Sequence, residues 1–384
     1  MAKRFLSMPQ RKSKLGKMIS IPNELAMNTF EQMIERGHER ICFHQDPQSG
    51  LRAIIAIHST KLGNALGGTR RWHYATEADA IYDVLRLSEG MTYKAAVAGL
   101  AMGGAKSVVL LPRPGLAGSE SEARAMGRFV EKFDGDYIAA EDVGVNPQYI
   151  DWMALETKHV MGGEKVSVGG DPSPHTAHGT LNAMKAALEH LGKPVDFSGL
   201  TVAIQGIGHV GYILAKILLD AGAKVIAAEI NENTRKHASS ELGLEFVEND
   251  KALFASVCDI LAPCALGGVI DANRARTLKC SIIAGAANNV LDDPDEDAAA
   301  LKNQGILYVP DFIANAGGVI QLSGTYLGLT EAQIERKIAD IEITTTQVLK
   351  SSESMSSTHA AAVALANERI AAGPMATQEQ VHAR

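Results

Sequence analysis

Apolar and polar positions along the 384-residue chain change period several times, and each change predicts an element. The run LRAIIAI, Leu51 to Ile57, reads as a buried strand, and GNALGGTRR after it has the glycine-rich chemistry of a loop. EADAIYDVLRLSEG returns to helical spacing, as does SEARAMGRFVEKF, where Met126, Phe129, Val130 and Phe133 recur at helical intervals. Between these helices SVVLL is a short apolar run of the fully buried kind. DGDYIAAEDVG reads as a strand that ends on two acids.

The pattern breaks at VGGDPSPHTAHGT, a glycine and proline cluster, and a helix follows through LNAMKAALEHLG with Thr176 expected near its cap. Short apolar runs within TVAIQ, KVIAAE, CDILAPCA, CSIIAGAANN and GILYVPDF then alternate with helical segments. That alternation marks a parallel sheet covered on both faces. Beyond Thr330 the spacing is helical again, through EAQIERKIADIEITTTQVLK and THAAAVALANERI. The expectation is an α/β protein of two domains. Residues 1–171 form an N-terminal α/β domain, residues 172–330 a Rossmann-type dinucleotide-binding domain, and helices in 331–384 return to the first.

Composition narrows this. With 46% hydrophobic residues and no apolar run of bilayer length, the chain reads as a soluble globular protein with no membrane partner. A net charge of −7 argues against nucleic acid. The N-terminal cluster Lys3, Arg4, Arg11, Lys12, Lys14 and Lys17 reads as a solvated tail, with no signal-peptide core behind it. Cys42, Cys258, Cys264 and Cys280 show neither CxxC spacing nor a metal-site pattern, so no metal and a reduced, cytoplasmic setting are expected.

Two motifs carry chemistry. Gly206, Gly208 and Gly211, with Ile207, His209 and Val210 between them, follow the strand TVAIQ and open a helix. Glu229 closes the next strand, 23 residues after Gly206. The glycines serve a tight turn, close approach to a pyrophosphate and helix–strand packing, while the carboxylate suits ribose hydroxyls and repels a 2′-phosphate. NAD is therefore favoured over NADP. The other motif is MTYKAAVAGLAMGGAKSVVL, where Lys94 and Lys106 stand among small and apolar residues. Two lysines in one dry cleft oppose each other's charge, so one is expected to hold an anion and the other, with a depressed pKa, to serve as a base.

At this point LGGTR, MTYKAAVAGLAMGGAKSVV, AEDVG, GIGHVG, CDILAPCALGGVI, IIAGAANN and PDFIANAGGVI, in this order, resemble the leucine, valine, phenylalanine and glutamate dehydrogenases, above all the leucine and phenylalanine enzymes. The resemblance runs from about Leu25 to about Ile370. It implies NAD-dependent oxidative deamination of an L-amino acid to a 2-oxo acid and ammonia, the reverse amination, and assembly as a homo-oligomer through the first, substrate-binding domain. Lys94 matches the lysine that holds the substrate carboxylate, Lys106 the lysine that activates water, and Asp142 the acid that exchanges protons with the amino group. Gly67 and Gly68 match backbone beside the substrate carboxylate, Asn315 an asparagine at the substrate, and Asn288 one near the nicotinamide amide; Thr176 falls among the cofactor-binding positions.

The glutamate enzymes carry a lysine immediately before the glycine pair, where this chain has Leu66. A second carboxylate would be desolvated there unpaired, so an apolar substrate is expected. Ala140, Val319 and Leu322 match pocket positions. The first two are similar to the branched-chain enzymes, the last to the phenylalanine enzymes. GGAK stands where GGGK is usual and His73 where proline is usual; the histidine reads as a surface residue. The alternatives are a specialised aromatic dehydrogenase, such as one acting on tryptophan, and a catalytically silent NAD-binding sensor.

Overall fold

The computed structural model describes residues 28–165, 170–265 and 267–374, so the basic N-terminal cluster lies outside the described residues. The strands β1 (Arg40–Asp46), β2 (Leu51–Ser59), β3 (Ala65–Trp72), β4 (Gly103–Leu110) and β5 (Tyr137–Glu141) make one sheet in the order β1-β2-β4-β3-β5. β2 runs antiparallel to β1 and β4, and β3 runs parallel to β4 and β5.

The segment expected to be a glycine-rich loop is thus a central strand. Its glycines are there because neighbouring backbone leaves no room. A Cβ on Gly67 would lie 1.7 Å from the Ala105 carbonyl oxygen, and one on Gly68 would lie 2.7 Å from that of Glu141. Tyr137 ties the strand down by donating its hydroxyl to the Gly67 carbonyl at 3.0 Å.

The second sheet contains β6 (Thr201–Gln205), β7 (Lys224–Ala228), β8 (Glu245–Phe246), β9 (Ile260–Pro263), β10 (Ile282–Ile283) and β11 (Leu307–Tyr308). Every pairing in it is parallel, in the order β11-β10-β9-β6-β7-β8. The chain leaves β6 toward β7 on one side and later returns to β9 on the other. That reversal opens a crevice at the carboxyl end of β6.

The helix Ser173–His190 begins earlier than expected. Its N-cap is Pro172 with no side-chain cap, and Thr176 sits inside the helix, donating to the Pro172 carbonyl at 3.0 Å. Pro174 in the first turn lacks an amide hydrogen and so lessens the need for a cap. The C-terminal helices Glu331–Ser352 and Thr358–Ala372 do fold back. Lys337 donates to the Gly99 carbonyl at 2.8 Å and Arg369 to the Ala96 carbonyl at 3.2 Å, at the end of the helix Glu77–Val97. The largest apolar cluster joins residues of both sheets, from Leu66 and Ile138 to Val202 and Ile282.

Candidate active site

Strand register brings the charged groups together. Leu66 pairs with Gly104 and Thr69 with Ser107, which carries Gly68 alongside Lys106; Gly68 also pairs with Ala140 on β5. A Cβ at position 68 would lie 3.2 Å from Lys106 Nζ and 2.8 Å from Asp142 Cβ, so the missing side chain is what lets lysine and carboxylate meet. Lys106 Nζ stands 2.6 Å from Asp142 Oδ2, and the Arg70 Nε donates to the same oxygen at 3.2 Å. Arg70 Nη1 then reaches the buried Asp83 at 2.9 Å, which also accepts from the Tyr74 hydroxyl at 2.7 Å. Among these, Lys106 is only 6% exposed.

Burial lowers the pKa of Lys106; Asp142 opposes that and Arg70 adds to it. Burial alone would push Asp142 up, but Lys106 and Arg70 outweigh it and hold the carboxyl well below its usual range. Lys94, in the last turn of the helix Glu77–Val97, is half-buried. Burial brings it down to about 8, with Asp311 pulling it up and Lys106 pressing it further down. The expected conflict between two lysines is met by unequal means: Asp142 faces Lys106 directly, while Lys94 donates to the Asn288 side-chain oxygen at 2.8 Å.

Asn288 in turn accepts from Asn315 Nδ2 at 2.8 Å, and Asn315 also donates to the Ala287 carbonyl at 3.1 Å. The remaining Asn315 oxygen is buried with no hydrogen-bond partner, a polar atom ready for a ligand that donates. Leu66, Ala140, Val319 and Leu322 all belong to or pack on one apolar cluster, Leu66 being fully covered and the other three half-buried. His73 is exposed, with its ring Nδ1 2.9 Å from the Leu111 carbonyl.

At the crevice, the three glycines differ as a dinucleotide site requires. Gly206 has φ +88°, and a Cβ there would meet Ala265 at 2.6 Å; one on Gly211 would lie 2.1 Å from the Gly206 carbonyl oxygen. Gly208, the N-cap of the helix His209–Asp220, faces open space. This is a cradle at a helix N-terminus with room for an anion, so the residues fit a dinucleotide. Ile207 is buried, Val210 half-buried and His209 exposed. Glu229 follows β7 and accepts from the Ile207 amide at 2.8 Å and the Asn231 amide at 2.8 Å, which pins the turn to the carboxylate.

Sequence reasoning passed over Arg70, Asp83 and Tyr74. An arginine after GGT looks like any solvated arginine. Only the parallel register, with Thr69 opposite Glu141, places it beside Asp142.

Two family models match: the dimerisation domain of the Glu/Leu/Phe/Val dehydrogenases over residues 38–159, and the glutamate/leucine/phenylalanine/valine dehydrogenase model over 171–234 and 227–379. The leucine dehydrogenase of Bacillus cereus is 41% identical over 349 residues, covering 90% of this chain and 94% of the relative. The phenylalanine dehydrogenase of Lysinibacillus sphaericus is 41% identical, covering 85% and 86%. Among solved structures, L-tryptophan dehydrogenase from Nostoc punctiforme superposes with a TM-score of 0.77 at 34% identity, covering 89% of this chain and 98% of that one. Motifs, fold and relatives agree, and the chain belongs to the glutamate/leucine/phenylalanine/valine dehydrogenase family of pyridine-nucleotide-dependent amino acid dehydrogenases.

Proposed function

We propose that the protein catalyses NAD-dependent oxidative deamination of an apolar L-amino acid, branched-chain or phenylalanine, and the reverse reductive amination. One observation carries the reading: the buried Lys106–Asp142 pair at 2.6 Å, with Lys94 close enough to depress by its charge, beside a cluster containing Leu66 where a cation would be needed for glutamate.

The Lys94 ammonium holds the substrate carboxylate together with the backbone of Gly67 and Gly68, the second of which leaves Lys106 and Asp142 uncovered by a side chain. Lys106, as the neutral amine, takes a proton from the water that attacks the imino carbon; Asp142 exchanges protons with the leaving or entering ammonia. Asn315 directs its unpartnered oxygen to the substrate, and Ala140, Val319, Leu322 and Leu66 line the side-chain pocket. Gly206, Ile207, Gly208, His209, Val210 and Gly211 form the pyrophosphate turn, Glu229 meets the ribose, and Thr176 and Asn288 flank the nicotinamide. When bound, the nicotinamide supplies the hydride acceptor. NAD rather than NADP is supported by the Glu229 carboxylate and by Arg235, which stacks over the Phe246 ring at 5.3 Å instead of standing free for a phosphate. The working form is a cytoplasmic homo-oligomer built through the first domain, supported by the dimerisation-domain match.

The test is NADH oxidation by the purified protein with ammonium and, in turn, the 2-oxo acids of leucine, valine, phenylalanine, tryptophan and glutamate, with Lys106→Ala as control. Turnover on an apolar acid that vanishes in the control is expected. No turnover on any acid, with NADH still bound, would overturn the proposal. A tryptophan-directed pocket is the second reading, favoured by the likeness to the Nostoc punctiforme enzyme, and the tryptophan arm decides it.

A further inference from the structure

Cys258 and Cys280 stand immediately before β9 and β10, neighbouring parallel strands of the second sheet. Ile260 pairs with Ile282 and Val257 bridges Lys279 in the same register, so the two cysteines lie side by side. The Cys258 amide donates to the Lys279 carbonyl at 3.2 Å, which fixes the backbones together at this level. Both side chains pack on the same apolar cluster and both are half-buried. Directly opposed residues on adjacent strands are about 4.8 Å apart, inside the roughly 4.4–6.8 Å window that a disulfide spans. Cys42 on β1 and Cys264 at the far end of β9 have no such neighbour among the described residues.

We propose that Cys258 and Cys280 are a reversible modification site, oxidised to an intramolecular disulfide by a low-molecular-weight disulfide. The Cys258 thiolate attacks one sulfur of the oxidant and displaces the first small thiolate. Cys280 then loses its proton and attacks the Cys258 sulfur of the mixed disulfide, displacing the second. The protein gives up two protons and two electrons, and the oxidant leaves as two thiols. The order follows the direction of the two shifts: the adjacent Cys280 side chain holds the Cys258 thiol below its usual range, while Cys258 and burial push Cys280 up, so Cys258 is the first thiolate.

The bond would close the crossover from β9 to β10. That crossover contains Ala265, against the Gly206 turn, and Gly267, whose Cβ position lies 2.4 Å from the Asn288 carbonyl oxygen. The cysteines themselves lie at the opposite, amino ends of the strands from the dinucleotide turn. The disulfide therefore braces the crossover without touching a reacting group, and its main effect is on stability.

The experiment incubates the full-length native protein with oxidised glutathione, alkylates free thiols and reads intact mass and a peptide map. The expected result is loss of two of the four alkylatable thiols, a Cys258–Cys280 cross-linked peptide with no retained glutathione, reversal by dithiothreitol, and a rise in Tm of the oxidised form. Cys280→Ser should stop at a stable glutathione adduct on Cys258, and Cys264→Ser should behave as wild type. Four free thiols after incubation, a wild-type protein that stops at the mixed disulfide, or a bond between other cysteines would each overturn the proposal.

Discussion

Arg70 offers the sharpest check on the electrostatics of the site. It shares Asp142 Oδ2 with Lys106, at 3.2 Å and 2.6 Å respectively. The two cationic nitrogens therefore lie within about 6 Å of each other, where like charges repel by about 3 kcal/mol at an effective dielectric of 20. That is about two pKa units, reduced to about one or two once water enters the space left by a truncated side chain. Arg70→Met removes a charge that disfavours the Lys106 ammonium, so the Lys106 pKa rises and the neutral base appears only at higher pH. The acid limb of kcat/KM for deamination should move alkaline by about one to two units, while Arg70→Lys, which keeps the charge, should leave it within a few tenths. The assay is the pH profile of deamination from about pH 6 to about pH 11 for the three proteins. A uniform loss of kcat/KM with the limb unmoved would refute the reasoning and reduce Arg70 to a strut between β3 and Asp83.

Other outcomes follow from the same geometry. Gly208→Ala meets open space, so it should leave Tm unchanged and raise the KM for NAD about tenfold or more, whereas Gly211→Ala, 2.1 Å from the Gly206 carbonyl, should lower Tm as well. Equal Tm values for the two would contradict the packing. His38 is buried with its ring Nδ1 unpartnered, and burial followed by His58 brings its pKa down to about 3 from 6.5. The unfolded chain takes up that proton first as pH falls, so the stability is full above about pH 6.5 and about 2 kcal/mol of it is gone by pH 5. Urea midpoints at pH 7 and 5 for wild type and His38→Gln should show the smaller loss in the variant. Leu66→Lys, at a buried site, should lower activity on apolar 2-oxo acids at least tenfold and raise the relative rate with 2-oxoglutarate; an unchanged preference would separate position 66 from the side-chain pocket.

Periodicity made β2, β4 and β5 and the alternating second half legible, because buried runs and amphipathic helices leave a direct trace in the order of residues. β3 left none. Its glycines argue against a strand on propensity, and the reason they are tolerated, the Ala105 and Glu141 carbonyls a bond length or two away, exists only once three strands are assembled. β1 was hidden differently: RICFHQD is an edge strand with alternating partial exposure and polar residues that dilute the pattern. In the site, Lys94 and Lys106 were visible because buried-looking neighbours made their charges conspicuous, and Asp142 as one of two acids ending a strand, its role coming from the family resemblance. Arg70 and Asp83 become meaningful only through register, which lines Arg70 up with Asp142 across β3 and β5.

The two lysines also differ in what a substrate would do to them. Lys106 already has a carboxylate at 2.6 Å, but Lys94 has no carboxylate in direct contact, only the Asn288 amide oxygen at 2.8 Å and the more distant charge of Asp311, and burial brings its pKa down to about 8. A carboxylate arriving at Lys94 supplies a counter-charge in direct contact and favours its ammonium form. Binding above pH 8 should therefore draw a proton from solution, and affinity for an apolar 2-oxo acid without ammonium should be flat below about pH 7.5 and fall toward tenfold per unit above about 8.5. Titration calorimetry at pH 9 in two buffers of different ionisation enthalpy measures the proton directly. Uptake approaching one proton, lost in Lys94→Met together with the binding, is the expected result. A pH-independent Kd with no proton uptake would mean that the carboxylate is held by some other group, leaving Lys94 no part in recognising the acid.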